Sequence, residues 1–252
     1  MEFEIWQIIF LVGVAFIGGF IDAIAGGGGL ICLPALMAVG VPPHAALATN
    51  KLQGCFGTLS ATVNFTRKGF INFKEIFIGI IFTLIGACVG TISVLFVDPK
   101  FLNYIIPILL IFVVIYTIFS PNLGETQKEA KMSKNAFFII FGLLIGFYDG
   151  FLGPGTGSFW TFAFLGVLGL SMKQAVANTK ILNFTSNIVA LVVFIFGGHI
   201  LWLIGLLMGV GQMIGGYMGS NMVIKKDVKF IKTLFLIMVC ATILKILYDI
   251  VK

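Results

Sequence analysis

Charge is scarce in this sequence. Asp, Glu, Lys and Arg make up 10% of its 252 residues, against about 25% in soluble domains. A water-soluble enzyme of this length needs a polar surface that so few charges do not supply, so that class is excluded. Metal-ligating residues are few. Cys32, Cys55, Cys88 and Cys240 lie scattered in apolar stretches without CxxC spacing, which excludes a disulfide or thiolate-metal framework and leaves small buried hydrophobes. His44 and His199 are far apart in sequence, each without a second ligand nearby, so loop or interface roles are expected for them. No Ser-His-Asp or Cys-His arrangement is readable, so neither enzyme chemistry nor a bound cofactor is expected. The glycine-rich stretches lack the βαβ context of a dinucleotide fold.

What the chain has instead is apolar surface. Hydrophobic residues are 59% of it and the mean hydropathy is +1.11. That is too apolar for disorder, and the 31 glycines show no collagen period. A polytopic membrane protein remains. The net charge of +6 comes from bases placed mostly between apolar runs, so it reads as membrane orientation and not as nucleic-acid binding. Glu2 and Glu4 replace the basic flank of a signal peptide, and the first apolar run is expected to be retained.

Apolar runs fall at 5–25, 30–41, 45–66, 75–97, 101–119, 136–152, 157–170, 174–196, 200–223 and 230–250. A bilayer crossing takes about 20 such residues over about 30 Å. The prediction is an all-α integral membrane protein, a polytopic bundle of 8–10 transmembrane or re-entrant segments. The polar stretch 120–135 separates a first repeat (1–120) from a second (136–252), with 121–135 as a cytoplasmic linker. The two halves resemble each other. GFIDAIAGGGG at 19–29 matches GFYDGFLGPGT at 146–156, setting Asp22 on Asp149 and Gly26 on Gly153. Further on, Lys51 falls on Lys180, Gly86 on Gly215 and Gly90 on Gly219. An intramembrane Asp and Lys shared in register mark a duplication.

Five runs per half is an odd number, so the second copy is expected upside down, the inverted-repeat plan of many secondary transporters. When the sides alternate after every run, one side collects Arg67, Lys68, Lys74, Lys128, Lys131, Lys134, Lys173, Lys225, Lys226, Lys229 and Lys232. The other collects Lys100, Lys245 and Lys252. The basic side is expected to be cytoplasmic, with both termini outside a cell membrane. Runs 30–41 and 157–170 are too short for a full crossing. Each follows a glycine break, Gly26-Gly27-Gly28-Gly29 in one half and Gly153-Pro154-Gly155-Thr156-Gly157 in the other. Whether they span or return is open on loop charge alone. Paired interrupted segments are the strongest sequence pointer to a transporter's binding site.

The candidate substrate-binding residues follow. Gly26, Gly27, Gly28 and Gly29, with Gly153, Gly155, Thr156, Gly157 and Ser158, free backbone N–H groups at helix starts, where the dipole favours anions. Close helix packing is the other reading of such glycines, and it is preferred for Gly18, Gly86, Gly90, Gly215 and Gly219. Lys51 and Lys180 supply countercharge, flanked by Asn50, Thr179 and Asn183 within stripes that also hold Gln53, Thr58, Ser60, Asn64, Thr185, Ser186 and Asn187. Asp22 and Asp149 are candidates for an ion pair or proton relay, because a charge at mid-bilayer costs at least about 2.5–3.5 kcal/mol unless paired or hydrated. The expected pairs cross between halves, Asp22 with Lys180 and Asp149 with Lys51. No metal site is expected.

AGGGGLICLPALMAVGVPPHAALATNKLQG (25–54), GFYDGFLGPGTGSF (146–159) and ANTKILNFTSN (177–187) resemble the TauE/SafE sulfite-exporter family, also called the toluenesulfonate uptake permease family. The resemblance implies a multi-spanning cell-membrane transporter of small anions, notably sulfite, sulfonates and related organosulfur or carboxylate compounds. Alternating access between the repeats is the expected mechanism. An anion channel and a carrier of small carboxylates are the alternatives. The expected partners are the anion, the bilayer and a coupling proton or sodium ion, with a homo-oligomer left open.

Overall fold

The computed structural model describes residues 3–102, 104–106, 108 and 129–226. Its elements are helical: α1 (Ile5–Ala25), α2 (Gly28–Ala38), α3 (Pro43–Arg67), α4 (Phe73–Leu95), α5 (Lys134–Phe151), α6 (Thr156–Gly166), α7 (Met172–Gly197) and α8 (Trp202–Lys225). No strand occurs among the described residues. The fold is an all-α polytopic membrane protein. Helices α1, α4, α5, α7 and α8 are long and apolar enough to cross a bilayer. Helix α3 is equally long at 25 residues but carries a polar stripe, which lowers its hydropathy. The predicted runs 101–119 and 230–250, the linker residues 120–128 and Cys240 fall wholly or mostly outside the described residues.

Local chemistry sets the helix ends. Asn72, Ser133 and Ser171 accept amide hydrogens at the starts of α4, α5 and α7. Gly26 and Gly198 close α1 and α7 in left-handed conformations. The short helices hold 11 residues each. At about 1.5 Å per residue that is about 16 Å, half of a bilayer core.

The element bounds repeat. Helices α2 and α6 start 128 residues apart (156 − 28), α3 and α7 start 129 apart (172 − 43), and α4 and α8 also 129 apart (202 − 73). The link from α5 to α6 (152–155) is two residues longer than that from α1 to α2 (26–27), and the extra length sits in the second glycine break. Packing repeats as well. Helix α1 lies along α8 and α4 along α5. A Cβ at Gly215 would stand 2.1 Å from the Phe16 carbonyl oxygen, and one at Gly90 2.1 Å from that of Phe147. These glycines, with Gly86 and Gly219, let the backbones touch, which is their expected packing role. Trp160 is fully buried and stacks on Phe164 with ring centroids 5.5 Å apart. Trp6 and Trp202 lie exposed near helix ends.

Candidate functional site

The two glycine breaks meet. A Cβ on Gly26 would lie 2.2 Å from the carbonyl carbon of Gly157, and one on Gly157 would lie 2.3 Å from Cα of Gly26. The backbones therefore touch where any side chain would hold them apart. Ser158 Oγ donates to the Ala25 carbonyl at 2.8 Å, joining the start of α6 to the end of α1. The first break turns on one left-handed residue, Gly26, whose N–H returns to the Asp22 carbonyl at 2.8 Å. The second needs two, Gly153 (φ +93°) and Gly155 (φ +80°), which accommodates Pro154. Tyr148 Oη donates to the Pro154 carbonyl at 2.7 Å and holds that longer break in place.

Both expected ion pairs are present, and each joins the two halves. Lys51 Nζ lies 2.6 Å from Asp149 Oδ1, and Lys180 Nζ lies 3.0 Å from Asp22 Oδ2. Each ammonium also donates to the main-chain carbonyl of its aspartate. Those carbonyls sit in the last turns of α5 and α1, where the helix dipole favours a cation. Each lysine is thus both a countercharge and a cap on a helix of the other half. The Ser186 hydroxyl donates to Asp149 Oδ2, and the Gly28 N–H donates to Asp22 Oδ1 at 3.3 Å.

Between the breaks lies a cavity of about 40 Å³. A water needs at least about 10–15 Å³, so the space is large enough for water. Asp22, Gly26, Gly28, Gly29, Asn50, Lys51, Asp149, Gly153, Thr156, Gly157 and Asn183 line it. Asn183 Oδ1 is buried without a hydrogen-bond partner among the described residues. Gly27, Gly155, Ser158, Thr179 and Lys180 are not on its wall. Ser158 is engaged by Ala25, Lys180 by Asp22, and Thr179 lies against Thr161 (3.2 Å) while donating to the Ala175 carbonyl. In this arrangement two carboxylates meet two ammonium groups in direct pairs, so the formal charge of the four is zero.

Four wall residues stand outside the predicted set: Gly54, Thr58, Asn187 and Gln212. Thr58 and Asn187 belong to the polar stripes. Gln212 carries no motif. Its one sequence signal is being a glutamine set in the middle of an apolar run, and the structure wedges it between α1 and α3, where a Cβ on Gly57 would stand 2.4 Å from its Oε1. The histidines also come together against expectation. His44 lies in the first turn of α3, not in a loop, and its ring stacks on His199 with centroids 5.3 Å apart. His44 Nε2 also bonds the Val94 carbonyl oxygen at 3.0 Å.

Residues 11–246 match the family described as Sulfite exporter TauE/SafE. The chain belongs to this family. It is 44% identical over 236 residues to the Probable membrane transporter protein YfcA of Escherichia coli K12, covering 94% of this chain and 88% of that one. It is 43% identical over 240 residues to the Probable membrane transporter protein ORF9 of a Sinorhizobium species, covering 95% and 92%. A Probable membrane transporter protein of Haemophilus influenzae is 40% identical over 250 residues, covering 98% and 96%. No solved structure matches the chain. As a TauE/SafE member with five candidate spans, the chain is a multi-pass membrane transporter and not an enzyme.

Proposed function

We propose that this transporter carries a small anion, sulfite, a sulfonate or another organosulfur compound, by alternating access at the cavity between two inverted repeats. The observation that carries the reading is the meeting of the two glycine breaks around a buried polar cavity bordered by Lys51, Asp22 and Asp149. The amides of Gly29 and Gly157, each the second residue of its short helix, take no part in the backbone hydrogen bonds there. They offer donors to an oxyanion at the positive ends of α2 and α6. Asn50 and Asn183 add amide groups.

Charge balance sets the coupling. An anion entering a neutral, low-dielectric site leaves a net negative charge that is costly in the membrane. Uptake of a proton by Asp22 or Asp149 frees a lysine for the anion and restores neutrality. The basic loops face the cytoplasm in this reading, with both termini outside the cell membrane.

The test is a binding screen on the purified full chain, followed by flux in proteoliposomes. Sulfite, sulfate, thiosulfate, taurine, sulfoacetate and small carboxylates are compared for thermal stabilisation, which follows mass action. The expected result is selective stabilisation by one sulfur oxyanion, with saturable flux of that compound that a proton or sodium gradient drives. Ohmic current without saturation would instead assign a channel. Selective stabilisation by a carboxylate would replace the substrate class.

A further inference from the structure

The chain has one arginine, Arg67, among 16 basic residues. It stands exposed in the last turn of α3 and has no ion-pair partner among the described residues. It also closes one end of a groove of about 260 Å³ on the outer seam between α3 and α8. The walls are Phe56, Leu59 and Val63 from α3 and Met213 and Tyr217 from α8. Two of the polar side chains of the groove are already engaged. Ser60 Oγ donates to the Met213 carbonyl at 3.0 Å, and Asn64 Nδ2 donates to Ser220 Oγ at 2.8 Å and to Asn221 Oδ1 at 3.2 Å. The groove therefore offers an apolar trough with free donors at one end.

Its length matches a lipid. From Phe56 to Arg67 is 11 residues, or about 16 Å along α3. One leaflet of the hydrocarbon core is about 15 Å thick. An acyl chain fills such a trough while the guanidinium sits at headgroup level, where its planar fork takes phosphate bidentately. We infer that this seam is a binding site for one anionic phospholipid, its acyl chain in the groove and its phosphate on Arg67. A second copy of the chain fits less well. A two-fold contact would set the patch on itself and bring Arg67 against Arg67.

The site borders the transport machinery without being part of it. Met213 faces the groove, and the adjacent Gln212 faces the central cavity. A lipid seated here braces the α3–α8 seam that positions Lys51 and Gln212.

The test uses purified full-length protein in neutral detergent. Thermal stability and native mass spectra are compared on adding phosphatidylglycerol or phosphatidylcholine of the same acyl chains. Phosphatidylglycerol is expected to stabilise and to be retained through delipidation, with roughly tenfold weaker binding in R67A, the loss of one charge-assisted contact. R67K is expected to recover part of the affinity, because a lysine meets phosphate without the fork. V63W, which fills the trough, is expected to abolish retention of both lipids. K68A, one residue outside the groove, is expected to bind as the parent does. Equal retention of the two lipids, or equal loss in K68A and R67A, would overturn the site in favour of diffuse surface charge. A stable dimer that V63W converts to monomers, with no lipid preference, would assign the groove to a second copy.

Discussion

The two ion pairs follow one plan in different surroundings. Asp149 is 5% exposed in its side chain and takes the Lys51 ammonium on one oxygen and the Ser186 hydroxyl on the other. Asp22 is 17% exposed, its lysine is at 3.0 Å, and its second oxygen has only the long contact to the Gly28 amide. The ends of the bundle differ in the same way. At one end Leu201 N–H donates to Thr49 Oγ1 at 3.2 Å, beside the stacked His44 and His199. The duplication places Asn72 where Leu201 stands and Asn178 where Thr49 stands, and there both residues line a cavity of about 160 Å³. Equivalent positions of the repeated sequence are thus bonded differently, with the Lys51–Asp149 pair and the Thr49–Leu201 end held more tightly than their counterparts. The alternating access proposed above predicts such an asymmetry, and predicts that it reverses in the opposite state.

The sharpest break in this comparison is to remove one lysine at a time. Lys51→Ala strands the buried Asp149 carboxylate without its countercharge and is expected to cost about 3–5 kcal/mol and all transport. Lys180→Ala is also expected to abolish flux but to cost less stability, since Asp22 has partial access to water. Detergent-phase unfolding of both variants measures the difference, and equal losses would remove the asymmetry. The double variant K51A/D149A is expected to regain much of the stability and none of the transport.

Next in size is Gly157→Ala. Its methyl group would meet Gly26 backbone, which cannot rotate aside, so overpacking of about 1–3 kcal/mol is expected along with loss of flux. Thr49→Val removes the bond to Leu201 for about 1 kcal/mol. It is expected to raise the labelling rate of a cysteine placed at that end without raising it at the Asn178 end.

The smallest effect is a pH response at the histidine pair. Partial burial, and then the neighbouring His44, hold His199 below its ordinary value of 6.5. A base with a depressed pKa is neutral in the packed end, while the loosened end binds protons first. The packed end is therefore at full strength above about pH 6.5 and weakens as the pH falls below it. Labelling at that end is expected to speed up on acidification, and His199→Gln to flatten the response.

Much of this fold is legible in the sequence because lipid demands long apolar runs. Run 5–25 coincides with α1, and the other full-length runs within the described residues lie within two residues of their helices. The short runs are displaced further. Run 157–170 ends four residues past α6, because Val167 to Leu170 are apolar but form a turn tied back to Ala163 and Phe164. The ion pairs are legible because a buried charge needs a partner, and fully spanning helices put Asp22 at the depth of Lys180 and Asp149 at the depth of Lys51. Gln212 and the His44–His199 stack are not legible in this way. Each depends on which helix faces cross, and no spacing along one chain encodes that. Nor does sequence show that Thr179 and Ser158 turn their hydroxyls toward backbone and away from the cavity.

The central claim is that the two breaks together form the substrate site. Asn183→Cys, in a chain whose native cysteines are replaced, puts one thiol on the cavity wall. The rate at which a small sulfonate-bearing thiol reagent labels it is then followed with and without the anion that best stabilises the protein. The account predicts strong protection at saturating anion. Undiminished labelling, with the anion still bound, would contradict it.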